Sequence, residues 1–447
     1  MTTIISQETT TTIPESASRH LTESLLSAYD LPDEVRWGIA GAGFVFATPI
    51  QERVLPLALA GRDVAGQAQT GTGKTAAYLI TIFTRLLRRP RPGPARGPRA
   101  LVVAPTRELV AQIRDDALLL GRHTGLDALA VFGGIDYHRQ RDAVKRVPEL
   151  LVGTPGRLLD YEQQGATTFR DVEILVIDEA DRMFDMGFIR DLRRILRRCP
   201  PYHRRQTLLF SATLSLRVME LAYEHTNNAE KIEIEPERVL ARGIREVLYH
   251  VASSEKFRLL LGVLEREGGQ RVLIFVNRRS TAAELVRGLS ANGFPTRALA
   301  GDVPQEKRLK ILRDFKEGRL AVLVATDVAS RGLHIEAVSH VINYDLPEDA
   351  EDYVHRIGRT ARAGAEGTAV SFACEDYVFS LDAIQKRIGR EIPASWPTED
   401  LLRAGPVAAA PRAPRRRHRT AAAPSRRVVA PSPEAAFGRT KRKSRRR

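Results

Sequence analysis

The sequence predicts an α/β fold of two successive blocks, each a mostly parallel sheet covered by helices, followed by a disordered basic tail. Three observations predict it. Short, nearly continuous apolar runs recur along most of the 447 residues, and such runs mark strands buried on both faces, as in helix-covered parallel sheets. Amphipathic stretches of helical period alternate with those runs. From 404 to 447 the alternation stops, and 14 Lys or Arg face a single acid, Glu434, with Ala and Pro between them.

In the first block, 100–104, 128–132, 150–152, 174–177 and 207–210 read as strands. In the second, 272–276, 297–300, 321–325, 340–343 and 368–372 do the same. The stretch 307–316 puts Leu309, Leu312 and Phe315 on one helical face, and Gly318 follows as a stop. The expected organisation is a disordered lead (1–20), a first domain (21–235), a linker (236–243), a second domain (244–400) and the tail (401–447). The Pro, Arg and Gly loop at 89–98 lies inside the first block, because the next strand follows at once. No 20–50-residue repeat is visible, and the two blocks resemble each other in plan more than in sequence.

Composition narrows the setting. Apolar residues make up 43% of the chain, an ordinary share for a globular protein. No apolar run reaches the ~20 residues that cross a bilayer. The N-terminus is rich in Thr, Ser and Glu and lacks the basic start and apolar stretch of a secretory signal, so a cytoplasmic protein is expected. Cys199 and Cys374 lie far apart without metal-ligand spacing and are expected to be free thiols. Of the net charge of +15, the tail carries +13 and the body is nearly neutral. Such a tail binds polyanions by counterion release, without reading sequence.

The residues 68–75, Ala-Gln-Thr-Gly-Thr-Gly-Lys-Thr, follow Asp63-Val-Ala-Gly66 and precede a helical stretch. The spacing is that of a P-loop, with Ala68 in place of its first Gly. Backbone N–H groups along Gln69, Thr70, Gly71, Thr72 and Gly73 would turn onto phosphate oxygens. Lys74 would add a point charge at the β and γ phosphates, and the Thr75 hydroxyl would ligate Mg²⁺. Asp178-Glu179-Ala180-Asp181 closes the strand at 174–177, at the edge where open parallel sheets bind ligands. Asp178 is expected to hold Mg²⁺ through water, and Glu179 to orient and deprotonate the attacking water.

Further motifs, taken in order, resemble those of the DEAD-box RNA helicases over residues 25 to 395. Phe44 with Thr48-Pro-Ile-Gln51 resembles the Q motif, and Ala104-Pro-Thr-Arg-Glu-Leu109 resembles motif Ia. Gly133-Gly134, Thr154-Pro-Gly-Arg157 and Ser211-Ala-Thr213 are similar to the GG element and motifs Ib and III. Leu273-Ile-Phe-Val-Asn277, Gln305-Glu-Lys-Arg308, Ala325-Thr-Asp-Val-Ala-Ser-Arg-Gly332 and His355-Arg-Ile-Gly-Arg-Thr-Ala-Arg362 resemble motif IV, the QxxR element and motifs V and VI. The resemblance implies two tandem RecA-like domains and an RNA-stimulated ATPase that unwinds short duplexes, with ATP and Mg²⁺ as cofactors. An ATP-gated RNA clamp with little turnover is the alternative.

The resemblance also implies residue roles. Phe44, Gln51, Asp327 and Gly332 would meet the nucleotide, and Arg359 and Arg362 would act as arginine fingers. Ser211, Thr213, Asp181 and His355 would couple the sites. Pro105, Thr106, Arg107, Gly134, Thr154, Arg157, Arg308 and Thr326 would contact RNA without reading its bases. A narrower likeness, in 61–67, 331–335 and 371–376, is to the helicases of bacterial RNA degradosomes. It implies RNA turnover, structured mRNA as substrate, an endoribonuclease as partner, no membrane contact and a monomer. The chain departs from the family pattern at four places. Leu26 stands where an aromatic would cover adenine, His334 replaces Asp, Ala300 replaces His, and Ala361 replaces Gly between the two fingers.

Truncation after Leu402 is expected to weaken RNA binding most at low salt and to flatten its salt dependence. Fluorescence-anisotropy titrations across a salt series check this; an unchanged affinity and slope would leave the tail a solubilising role.

Overall fold

The computed structural model describes residues 21–68, 71–91, 93–234, 243–268, 271–301, 303–327, 335, 338–361 and 366–402. The N-terminal lead, nearly all of the linker, the basic tail, Gln69, Thr70, Gly332, His334 and Arg362 lie outside them.

Two seven-stranded sheets form, each with helices on its faces. The first contains β1 (Val64–Gln67), β2 (Ala100–Val103), β3 (Ala128–Val131), β4 (Leu150–Gly153), β5 (Ile174–Ile177), β6 (Gln206–Ser211) and β7 (Glu230–Glu233). The second contains β8 (Ile244–His250), β9 (Val272–Phe275), β10 (Thr296–Leu299), β11 (Val322–Ala325), β12 (His340–Asn343), β13 (Gly367–Ala373) and β14 (Ala394–Ser395). The spatial orders are β3-β4-β2-β5-β6-β1-β7 and β10-β11-β9-β12-β13-β8-β14. Counted from its own first strand, each sheet has the same order. Every ladder in both is parallel. The two lobes are therefore tandem copies of one RecA-like plan, as the alternation of strands and helices implies.

The apolar runs work as expected because each feeds two cores. Ala100 and Val102 of β2 join the core on one face of the sheet, while Leu101 and Val103 join the other. In the second sheet Val272 and Ile274 face one core, and Leu273 and Phe275 another. Burying each such side chain contributes ~1.5–3 kcal/mol. All ten predicted strands are present. The other four are β1, which leads into the 68–75 loop, and β7, β8 and β14. β7 is an edge strand with one buried residue, Ile232, and β14 has two residues, both exposed. β8, Ile-Arg-Glu-Val-Leu-Tyr-His, carries two adjacent charges near its start and lies beside that short edge. A search for continuous apolar runs finds the apolar strands, the edge strands β3 and β10 among them, and passes over the short or charged ones.

The helix Gln305–Lys316 forms where expected, and Gly318 follows with φ +75°. Its apolar face is divided, however. Leu312 and Phe315 pack into the second lobe, whereas Leu309 packs against the core of the first. Both cysteines are free and buried, and burial pushes the Cys199 thiol up to about 12.

The second lobe is pinned by a buried ion pair. Lys256 Nζ lies 2.5 Å from Asp345 Oδ1 and 4.3 Å from the centre of the Tyr344 ring. The other Asp345 oxygen accepts from the Asn277 N–H at 2.9 Å. The variant Lys256→Met would strand this carboxylate in the interior, and removing one partner of a buried pair costs ~3–5 kcal/mol. A fall of that size in the unfolding free energy of the second lobe, measured by urea denaturation, is the expected outcome.

Candidate active site

Three adjacent strands of the first sheet, β5, β6 and β1, end side by side. Their carboxyl ends lead into Asp178, Ser211 and the 68–75 loop. Ala68 N–H bonds to the Ser211 carbonyl at 3.0 Å, which joins the loop to β6. Gly71 and Gly73 take φ of +84° and +91°, a region L-residues rarely enter, so the loop needs glycine at both positions. Lys74 is buried and donates to the Ala68 carbonyl at 2.8 Å. The helix Lys74–Arg88 begins here, so its amino end faces the same cleft.

Gln51 does two things. Its Oε1 accepts from the Thr48 N–H at 2.9 Å, which completes a capping box on the helix Pro49–Leu59. Its Nε2 donates to the Gly73 carbonyl at 3.1 Å, which ties that helix to the loop. Phe44 stands at the lip of the cleft, 41% exposed. Leu26 does not line it. That residue is 1% exposed within the first-lobe core, drawn inward because Leu25 pairs with Phe46 and the Leu26 N–H bonds to Val45. The expected covering role of Leu26 is therefore corrected. The aromatic at the cleft is Phe44.

Asp178 and Glu179 are both buried at the end of β5. Asp178 Oδ1 accepts from the Glu179 N–H at 2.9 Å, and Oδ2 accepts from the Tyr78 hydroxyl at 3.0 Å. Glu179 takes φ +51°, an unusual conformation for glutamate, and its Oε2 accepts from Arg182 Nη1 at 2.6 Å. Strained backbone of this kind costs ~1–3 kcal/mol and persists only where its surroundings enforce it. Thr75 and Asp178 offer only hard oxygen donors. No group of three or more His, Cys, Asp or Glu among the described residues is arranged to hold a metal alone. Such a donor set fits magnesium, which keeps its waters and takes one or two protein oxygens beside phosphates.

Asp181 binds the end of β6. Its Oδ2 accepts from the N–H groups of Ala212 and Thr213, both at 3.1 Å, and its own N–H donates to Ser211 Oγ at 3.1 Å. Asp181, Ser211 and Thr213 thus form one cluster, while His355 stands exposed on the helix Ala350–Ile357 of the other lobe.

The residues expected on RNA occupy the carboxyl ends of β2, β3 and β4. Pro105 and Thr106 are buried, and Thr106 caps the helix Arg107–Leu120 by accepting from the Leu109 N–H. Arg107 is exposed, with its guanidinium against Gly133 and Gly134; a Cβ on Gly134 would come within 2.5 Å of it. Thr154 is the N-cap residue of the helix Pro155–Gln163, and Arg157 bonds to the Tyr161 hydroxyl at 3.0 Å. In the second lobe Thr326 follows β11 and is buried.

Arg308 is engaged elsewhere than on open surface. Its Nε lies 2.5 Å from Glu108 Oε1 of the first lobe, and Gln305 Nε2 donates to the same oxygen at 3.2 Å. Beside Leu309, this contact joins the lobes. Asp327 is likewise engaged. Arg356, 1% exposed, donates to both its oxygens at 2.7 and 2.5 Å, to Asn277 Oδ1 at 2.8 Å and to the Asp345 carbonyl at 2.6 Å. One guanidinium therefore ties together the ends of β9, β11 and β12. Arg359 follows one turn later, half-buried, and Ala361 takes φ +53°. At that angle a glycine is free of strain and an alanine is not. Ala300 is buried just beyond β10.

Sequence reading passed over Tyr78, Glu108, Arg182, Lys256 and Arg356. Two of these lie inside quoted motifs, Glu108 beside Arg107 and Arg356 beside His355. Tyr78 stands one helical turn beyond Thr75, a spacing that places both on one face.

Comparison with known proteins agrees with this geometry. The DEAD/DEAH box helicase family matches residues 48–222, and the helicase conserved C-terminal domain matches 255–364. The chain is 50% identical to the ATP-dependent RNA helicase RhlB of Xanthomonas axonopodis pv. citri over 401 residues, 89% of this chain and 70% of that one. It is also 50% identical to RhlB of Haemophilus influenzae over 385 residues, 86% of this chain and 93% of that one. Among solved structures it is similar to S. cerevisiae Dbp5 bound to RNA and ADP BeF3, with TM-score 0.70 and 34% identity over 82% of this chain and 94% of that chain. No helix among the described residues is long and apolar enough to cross a membrane. With both halves of the helicase core matched, the chain belongs to the DEAD-box ATP-dependent RNA helicases, enzymes that hydrolyse ATP.

Proposed function

We propose that this enzyme couples ATP hydrolysis to RNA binding and local unwinding of short duplexes, in bacterial RNA turnover or remodelling. The observation that carries the reading is the Glu108 contact. Glu108 follows Arg107, a candidate RNA residue, and receives Gln305 and Arg308 of the second lobe. A contact that joins the lobes therefore adjoins the strand-binding edge.

Lys74 and the loop N–H groups hold the phosphates, with Phe44 and Gln51 at the base and Asp327 and Gly332 at the sugar. Thr75 and Asp178 hold magnesium, which when bound neutralises phosphate charge. Glu179, fixed by Arg182, orients the attacking water and takes its proton. Arg359 and Arg362 reach across from the second lobe toward the γ-phosphoryl group, so hydrolysis requires the lobes together. Asp181 transmits the state of this edge to Ser211 and Thr213, and His355 receives it. Arg107, Gly134, Thr154, Arg157 and Thr326 take the RNA backbone, while Arg308 serves it through Glu108. Likeness to the RhlB helicases supports a cytoplasmic setting and an endoribonuclease partner.

Steady-state ATPase rates with and without a structured RNA test the proposal. RNA is expected to stimulate hydrolysis, and Glu179→Gln to lower the stimulated rate about a hundredfold or more, as loss of a general base does. No stimulation in protein that still binds RNA with an ATP analogue would favour the clamp.

A further inference from the structure

The helix that starts at Lys74 carries a tyrosine that this mechanism leaves unused. Tyr78 is among the largest side chains in the molecule to be completely buried. Its ring packs against Phe210 of β6, with centroids 5.7 Å apart, so the sheet sets where its hydroxyl lies. A buried hydroxyl left without partners costs ~1–3 kcal/mol. Here the partner belongs to the site: the hydroxyl donates to Asp178 Oδ2 at 3.0 Å, and Thr75 stands one helical turn before Tyr78. The Asp116 carboxylate is close enough to act on the phenol and lines the same cleft.

We propose that Tyr78 is a positioning residue for the divalent-cation site, its hydroxyl holding Asp178 in the arrangement that receives a hydrated magnesium ion. The proposal rests on the reading of Thr75 and Asp178 as the metal-holding pair. The phenol donates to one oxygen of the Asp178 carboxylate and so fixes its rotation. The second Asp178 oxygen is meanwhile held by the Glu179 N–H. Magnesium demands near-octahedral geometry, so small rotations of its supporting carboxylate are felt. Groups that orient metal-site residues typically contribute 10–100-fold to metal affinity.

The test is a magnesium titration of fluorescent ADP binding to the full-length protein, read by fluorescence rather than by turnover. Tyr78→Phe keeps the ring and removes the hydroxyl. The half-saturating magnesium concentration is expected to rise about tenfold, while ADP affinity and thermal midpoint in EDTA stay unchanged. Asp178→Asn is run beside it and is expected to raise the requirement as well. The double variant is expected to be no worse than Asp178→Asn alone. A wild-type magnesium requirement in Tyr78→Phe, with a raised one in Asp178→Asn, overturns the proposal and leaves the site reading intact. Additive effects in the double variant also overturn it, as does a lowered thermal midpoint with no change in magnesium requirement. A wild-type requirement in both single variants removes the metal reading of Asp178 and the proposal with it.

Discussion

The chemistry of the first lobe depends on β5, β6 and β1 lying next to one another in a parallel sheet. Parallel strands all end at the same edge, so three segments far apart in sequence finish within bonding distance. Asp178, Ser211 and the loop after Gln67 meet there for that reason. The bonds that follow are local consequences: Ala68 to Ser211, Asp181 to Ser211 and Thr213, and Tyr78 to Asp178. Each needs the register of the sheet, and the register needs the double burial of the apolar runs. A shift of one residue would exchange the two core faces of every strand.

The second lobe repeats the strand order and puts a different hub at the corresponding edge. Arg356 gathers Asn277, Asp327 and the Asp345 carbonyl, and Lys256 neutralises the Asp345 side chain from beneath. Buried charges of this kind are costly unless satisfied, and here each carries several hydrogen bonds. The result is a cross-braced edge, and Arg359 follows three residues after its hub. Among the described residues, Glu179 in one lobe and Ala361 in the other are two of four non-glycine positions held at positive φ, with Val147 and Asn228.

Much of this was legible in the sequence. The central strands announced themselves because burial on both faces leaves no room for polar alternation. The loop at 68–75 and the acids at 178–181 were legible because phosphate and metal chemistry restrict residue type and spacing. Edge strands β7 and β14 were not, since they bury one residue and none. Leu26 was misplaced because position along the chain does not reveal which of two neighbours, Leu25 or Leu26, turns inward. Arg308 was expected on RNA by resemblance alone, and its ion pair with Glu108, 200 residues earlier, leaves no sign in the sequence. Tyr78 gave no sign because a buried aromatic after a P-loop reads as core, and only tertiary structure shows where its hydroxyl points.

The central claim is that nucleotide and RNA are bound by one joined arrangement of the lobes, held in part by Glu108. Reciprocal binding tests it most directly: RNA affinity with and without a non-hydrolysable ATP analogue, and analogue affinity with and without RNA. The account predicts the same enhancement in both directions, as linkage requires, on the order of tenfold or more, and a much smaller one in Glu108→Ala. Independent binding of the two ligands by a folded protein would contradict it.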